Sequence, residues 1–237
     1  MTAYYESIYA EKSDKAAMLS YLKEAYEKAG EYGYFYADNL ISVGWECQDT
    51  DLVIETAEKT IDFNPCDESA FFFAAKAYAS KKDFDSAVNT CEKLREFNPD
   101  SLEYYIIQSE ILRRKGDFNA AVEICEKGEE EGQDPEILRQ KSIAYFLLEE
   151  KDKAVEAAKD AYEASYGSSY SGGSVSLEVL NTTALICYLA GGEAKETYDE
   201  INELLKSQNY EFEDSVKDVI KGDKTFEDVF MGEKGDI

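Results

Sequence analysis

Asp83-Phe84-Asp85-Ser86-Ala87-Val88-Asn89-Thr90-Cys91-Glu92-Lys93 returns 34 residues later as Asp117-Phe118-Asn119-Ala120-Ala121-Val122-Glu123-Ile124-Cys125-Glu126-Lys127, with seven of the eleven positions identical. Self-similarity at this period marks a chain that repeats one supersecondary unit. Such an array buries its apolar side between neighbouring units, so its core is a strip and residues 1–237 read as one solenoid domain. Only three prolines interrupt the chain, which suits continuous helix.

Working outward, Asn64-Pro65 and Asn98-Pro99 stand 34 apart and punctuate successive units. Residues 34–67, 68–101, 102–134 and the stretch to 166 form four repeats, each a pair of helices. The third runs two residues longer to its proline, Pro135, through Glu129-Glu130-Glu131-Gly132-Gln133-Asp134. The first has Val53 where its successors have the small residues Ala87, Ala121 and Ala154. Residues 1–33 read as a degenerate helical hairpin, with Tyr4, Tyr5, Ile8 and Tyr9 on one stripe. Residues 167–176 form a Gly/Ser loop, either a connector or a lid presenting Tyr166 and Tyr170. A further degenerate repeat and C-terminal capping helices fill 177–237, with Thr225 and Asp228 as a capping pair. Phe226, Val229 and Phe230 share one face there and are expected to cover the open end of the array.

The repeat resembles the tetratricopeptide repeat. The residues that carry the likeness are Phe71, Ala74-Ala75, Tyr78, Ala87, Cys91 and Pro99. The next unit offers Tyr105, Gln108-Ser109, Leu112, Ala121 and Cys125, and the one after Leu138, Lys141-Ser142, Tyr145, Ala154 and Ala158. The resemblance implies an all-α, right-handed superhelical solenoid of about six helix pairs. It also implies a non-enzymatic scaffold that binds a protein or peptide on the concave side. The alternative is a structural or oligomerisation module whose groove holds its own tail or another copy. One subset of the family clamps the C-terminal carboxylate of chaperones with Lys, Asn and Arg. The matching places hold Asp38, Ser42, Phe73, Glu103 and Ile107, so that clamp is not expected.

The composition narrows the chemistry. A net charge of −26 repels nucleic acid and anionic membrane. Histidine is absent, which removes the usual acid–base group and the commonest metal ligand. The five cysteines, Cys47, Cys66, Cys91, Cys125 and Cys187, include no Cys-x-x-Cys pair, so neither a disulfide frame nor a zinc site is expected. Cys91 and Cys125 occupy equivalent repeat positions and read as small buried apolar residues. Reduced thiols fit the cytoplasm. No phosphate loop, nucleophile elbow or cofactor motif occurs, so no cofactor is expected. No stretch has the length and apolarity of a membrane span, and residues 1–20 lack the apolar core of a signal peptide.

In a solenoid of this kind the first helices of successive pairs line the groove. The register assigns Trp45, Phe72, Lys76, Ile106, Glu110, Arg113, Arg139, Ile143 and Phe146 to it. Residues 34–67 carry a net −7 whereas 68–101 carry only −1, so an acidic or C-terminal ligand is best tolerated beside Lys76. A monomer with an open groove is the expected solution state.

Overall fold

The computed structural model describes residues 14–169 and 176–231, and every regular element among them is a helix. The Tyr4–Tyr9 stripe, Tyr170 and the side chain of Tyr166 lie outside the described residues. The chain divides into two compact units, residues 1–107 and 108–237.

The first unit comprises α1 (Lys15–Ala29), α2 (Tyr34–Glu46), α3 (Thr50–Phe63), α4 (Glu68–Ser80), α5 (Phe84–Phe97) and the start of α6 (Leu102–Lys115). Each of the first four helices packs on the next, and α2 also meets α4, so the first helices of successive hairpins lie side by side. Ala37, Ile41, Val53, Ala57, Ala70, Ala74 and Ala77 are all buried in one layer. Val53, bulkier than the alanine of later repeats, fits because Gly44 faces it: a Cβ on Gly44 would stand 3.3 Å from Val53 Cγ2 and from Leu52 Cδ2. The small residue has moved to the opposite helix.

The second unit holds the rest of α6 and then α7 (Phe118–Glu131), α8 (Pro135–Leu147), α9 (Lys151–Ser169), α10 (Leu177–Ala190), α11 (Lys195–Ser207), α12 (Asp214–Lys221) and α13 (Phe226–Met231). From α7 to α11 neighbours again pair in order, and α8 meets α10. Ile143, Ala158, Leu185, Ile186 and Ile201 anchor its core together with Phe212, Val216, Val219 and Phe226. The extended acidic stretch does not lengthen a closing turn as the proline spacing suggested. Pro135 stands at the first position of α8, with Asp134 capping it, whereas Pro65 and Pro99 follow the helix-ending Asn64 and Asn98. Proline suits a helix start because its missing N–H has no intrahelical partner there.

The repeat is also written in the backbone. Gln48, Lys82, Gly116 and Glu149 all adopt the left-handed region, with φ of 59°, 61°, 90° and 62°. Only Gly116 does so without a Cβ penalty. Asp49, Asp83 and Asp117 follow, each accepting a hydrogen bond at the N-terminus of the next helix from Leu52, Ser86 and Ala120. Asp14, Asp67 and Asp134 cap other helices. Part of the acidic excess is therefore spent on helix starts, where carboxylates complement the helix dipole.

Candidate functional site

In the first unit, α2, α4 and α6 carry the predicted groove residues Trp45, Phe72, Lys76 and Ile106. The Lys76 Nζ lies 4.6 Å from the Phe72 ring centre and 5.5 Å from that of Trp45. Phe73 joins them, 5.4 Å from Phe72 and 6.2 Å from Trp45. Trp45, Phe72, Phe73 and Lys76 are all half-buried, and Ile106 is buried. The result is an aromatic shelf with a cation laid on it, an arrangement that favours positive charge over ring faces.

The second unit brings the other five together differently. Glu110 is buried and bound by Arg114, whose Nε donates to Glu110 Oε1 at 2.9 Å. Arg139 grips Glu136, its Nε donating at 2.8 and 2.7 Å to the two carboxylate oxygens. It also donates to Thr182 Oγ1 at 3.3 Å and stands 3.5 Å from Glu178. Burial disfavours the Arg139 cation, but Glu136, Glu178 and Glu110 together outweigh burial and the guanidinium is held above its usual range. Arg139, assigned to the groove by register, is thus held in a structural ion pair with Glu136. Ile143 is fully buried.

Arg113 differs from its neighbours. It is only 4 % exposed. Its Nη1 donates to the backbone carbonyl of Phe230, its Nη2 lies 3.4 Å from Gln140 Oε1, and its Nε has no hydrogen-bond partner among the described residues. Burial pushes the guanidinium down to about 10, against the attraction of Glu110.

Helix α13 explains why Arg113 meets Phe230. The reciprocal bonds predicted for Thr225 and Asp228 are both made, Thr225 N to Asp228 Oδ2 at 2.9 Å and Asp228 N to Thr225 Oγ1 at 3.1 Å. The helix they start does not simply close the array. The Phe226 ring packs at a tilt against Phe146, centroids 4.3 Å apart, and against Phe230 at 4.4 Å, and the Phe230 ring lies 6.0 Å from the Arg113 guanidinium. The tail lies on Arg113 and Phe146, two of the residues assigned to the groove. The sequence reading missed Phe226 and Phe230 as groove contacts because their shared face suits a terminal cap equally well. It also missed Glu136, although Glu136 and Arg139 are three apart on one helix and so are natural neighbours.

The helix-pair stack and its recurring turn define the fold of tetratricopeptide-repeat proteins, and the solved structures agree. A thermophilic tetratricopeptide-repeat protein of Thermus thermophilus matches with a TM-score of 0.57 and 21% identity, over 72% of this chain and 90% of that one. A tetratricopeptide-repeat protein from Parabacteroides merdae matches with a TM-score of 0.58 and 16% identity, over 93% and 98%. MamA from Desulfovibrio magneticus gives 0.50 and 14%, over 74% and 97%. No family model and no curated protein matches the sequence. Among the described residues no helix is long and apolar enough to cross a membrane, and no cluster of potential metal ligands occurs.

Proposed function

We propose that this chain is a non-enzymatic scaffold that binds a protein or peptide segment on the groove side of its helix pairs. In the second unit the contact residues are Arg113 and Phe146, bordered by Glu110 and Arg139; Ile143, assigned to the groove by register, is fully buried in the core and makes no such contact. In the first they are Trp45, Phe72, Lys76 and Ile106. One observation carries the reading: a short helix, α13, already lies on Arg113 and Phe146 with its backbone carbonyl held by a buried guanidinium. That contact supports helix-in-groove recognition as the binding mode. The tetratricopeptide fold supports an interaction role in general. A reducing compartment such as the cytoplasm fits Cys47, Cys66, Cys91, Cys125 and Cys187, none of which is in a disulfide among the described residues.

Site-specific photo-crosslinking tests the proposal. A photoreactive residue at position 76 or 146 should capture a discrete partner from source-cell lysate, and one at exposed position 123, on the second helix of its pair, should not. Capture only from position 123 would move the site to the second helices. Capture of the chain by itself would support the oligomerisation alternative.

A further inference from the structure

We propose that α13 is an exchangeable occupant of the second unit's groove, and that the partner displacing it is a basic segment with two aromatic side chains four residues apart. This rests on the groove reading above and assigns the ligand chemistry to it.

α13 has six residues, far fewer than an isolated helix needs to persist in water, so its docking holds it in shape. Its grip comes from Phe226 and Phe230, which are four apart and in ring contact, with Phe226 buried and Phe230 only half-buried. Arg113 reads a backbone carbonyl, a group that any helical segment supplies at its end. The two aromatics and a helix end are therefore what the groove recognises.

The contact is incompletely satisfied. The Nε of a buried cation lacks an acceptor among the described residues, and the Nη2 contact to Gln140 is long. A buried charge with open hydrogen-bonding capacity is a weak structural device and a suitable receptor. Glu227 is exposed on α13, and the groove border already holds Glu136, Glu178 and Glu213 near Arg139. Burial first, and then Glu178, raise the Glu213 carboxyl against the attraction of Arg139. A chain of net charge −26 steers basic segments toward it and opposes a second copy of itself.

The test uses the full chain and three fluorescein-labelled peptides read by anisotropy. One has the sequence of residues 224–232. The second adds Glu227→Lys and two C-terminal lysines, and the third is the second with alanine at both phenylalanine positions. The basic aromatic peptide should bind about tenfold tighter than the resident sequence at low salt, a gap that salt narrows. Phe230→Ala in the chain should tighten its binding at least about fivefold by vacating the groove. Adding Arg113→Met to Phe230→Ala should reverse that gain. Equal binding of the alanine peptide, or no gain from Phe230→Ala, overturns the proposal. Should Phe230→Ala misfold by circular dichroism, Asp228→Asn loosens the cap without touching buried surface and carries the same expectation. If no peptide binds while groove crosslinking still captures a partner, exchange fails and the groove reading stands. If both are silent, both fall. Dimerisation on concentrating the wild-type chain, abolished by Phe230→Ala, would make a second copy the occupant and refute a basic partner.

Discussion

Replacing Arg113 by methionine should leave the fold at least as stable as before. The guanidinium is buried, and burial holds it near 10 instead of 12.5 even after the attraction of Glu110. Each pKa unit corresponds to about 1.4 kcal/mol, so keeping this charge inside costs up to about 3 kcal/mol. Against that stand its two acceptors. Gln140 is buried and its Oε1 would lose a donor, at about 1 kcal/mol. The Phe230 carbonyl lies near the C-terminus of α13 on a half-buried residue, where water can replace the lost bond at little cost. Methionine has similar reach and fills irregular space. The net expectation is a gain between zero and about 2 kcal/mol. Urea unfolding followed by circular dichroism at pH 7 measures it, with an unchanged m-value as the sign that only stability moved. The gain should not vary with pH below about 10, because the guanidinium is protonated in both folded and unfolded chains there. A loss larger than about 1 kcal/mol would refute the reasoning. Arg113 would then be a satisfied structural cation, and the groove would lose its most receptor-like group.

Ala121 is packed with Val122 and Ala144 beside Leu112 and Tyr145, so Ala121→Leu should cost about 1–3 kcal/mol by overpacking, and an unchanged urea midpoint would contradict the close helix approach. Lys82→Gly should stabilise by roughly 0.5 kcal/mol, because relief of the left-handed strain exceeds the added freedom of the unfolded chain; a lowered melting temperature would deny strain at that turn. A thiol reagent should label exposed Cys66 fast, while buried Cys91, Cys125 and Cys187 react slowly in native protein; burial pushes Cys125 up to about 12 and Cys187 to about 11, and rapid labelling of all five would contradict both. The Asp49 carboxyl is held below 3.8, first by its hydrogen bond from Lys23 and also by Leu52 N–H, despite partial burial. Its contribution is complete above the unfolded value and fades as pH falls through the folded one. Asp49→Ala should therefore cost about 1 kcal/mol at pH 7 and less at pH 3, and equal losses at both would exclude the carboxylate as the cause.

The repeat was legible because its causes are local. Small residues at Ala87 and Ala121 and capping aspartates at Asp83 and Asp117 recur at one spacing, and each acts on its own helix hairpin. The buried repeat cysteines and the Thr225–Asp228 cap were readable for the same reason. Other features depended on which helix face meets which. Gly44 compensates Val53 across a helix pair, and neither residue announces the other along the chain. Pro135 looked like the end of a repeat by spacing and proved to be the start of a helix, because proline satisfies both roles. Register could nominate candidate groove residues, but it could not give their states. Arg139 is taken up by Glu136, Ile143 is sealed in the core, and Arg113 meets a carbonyl 117 positions away. A contact at that separation leaves no periodic trace, since it depends on tertiary packing and not on any spacing. Sequence alone determined the helix hairpins and their order; tertiary packing decided that the chain's own tail would lie on Phe146 and Arg113, because there Phe226 finds a ring and Phe230 a guanidinium to pack against.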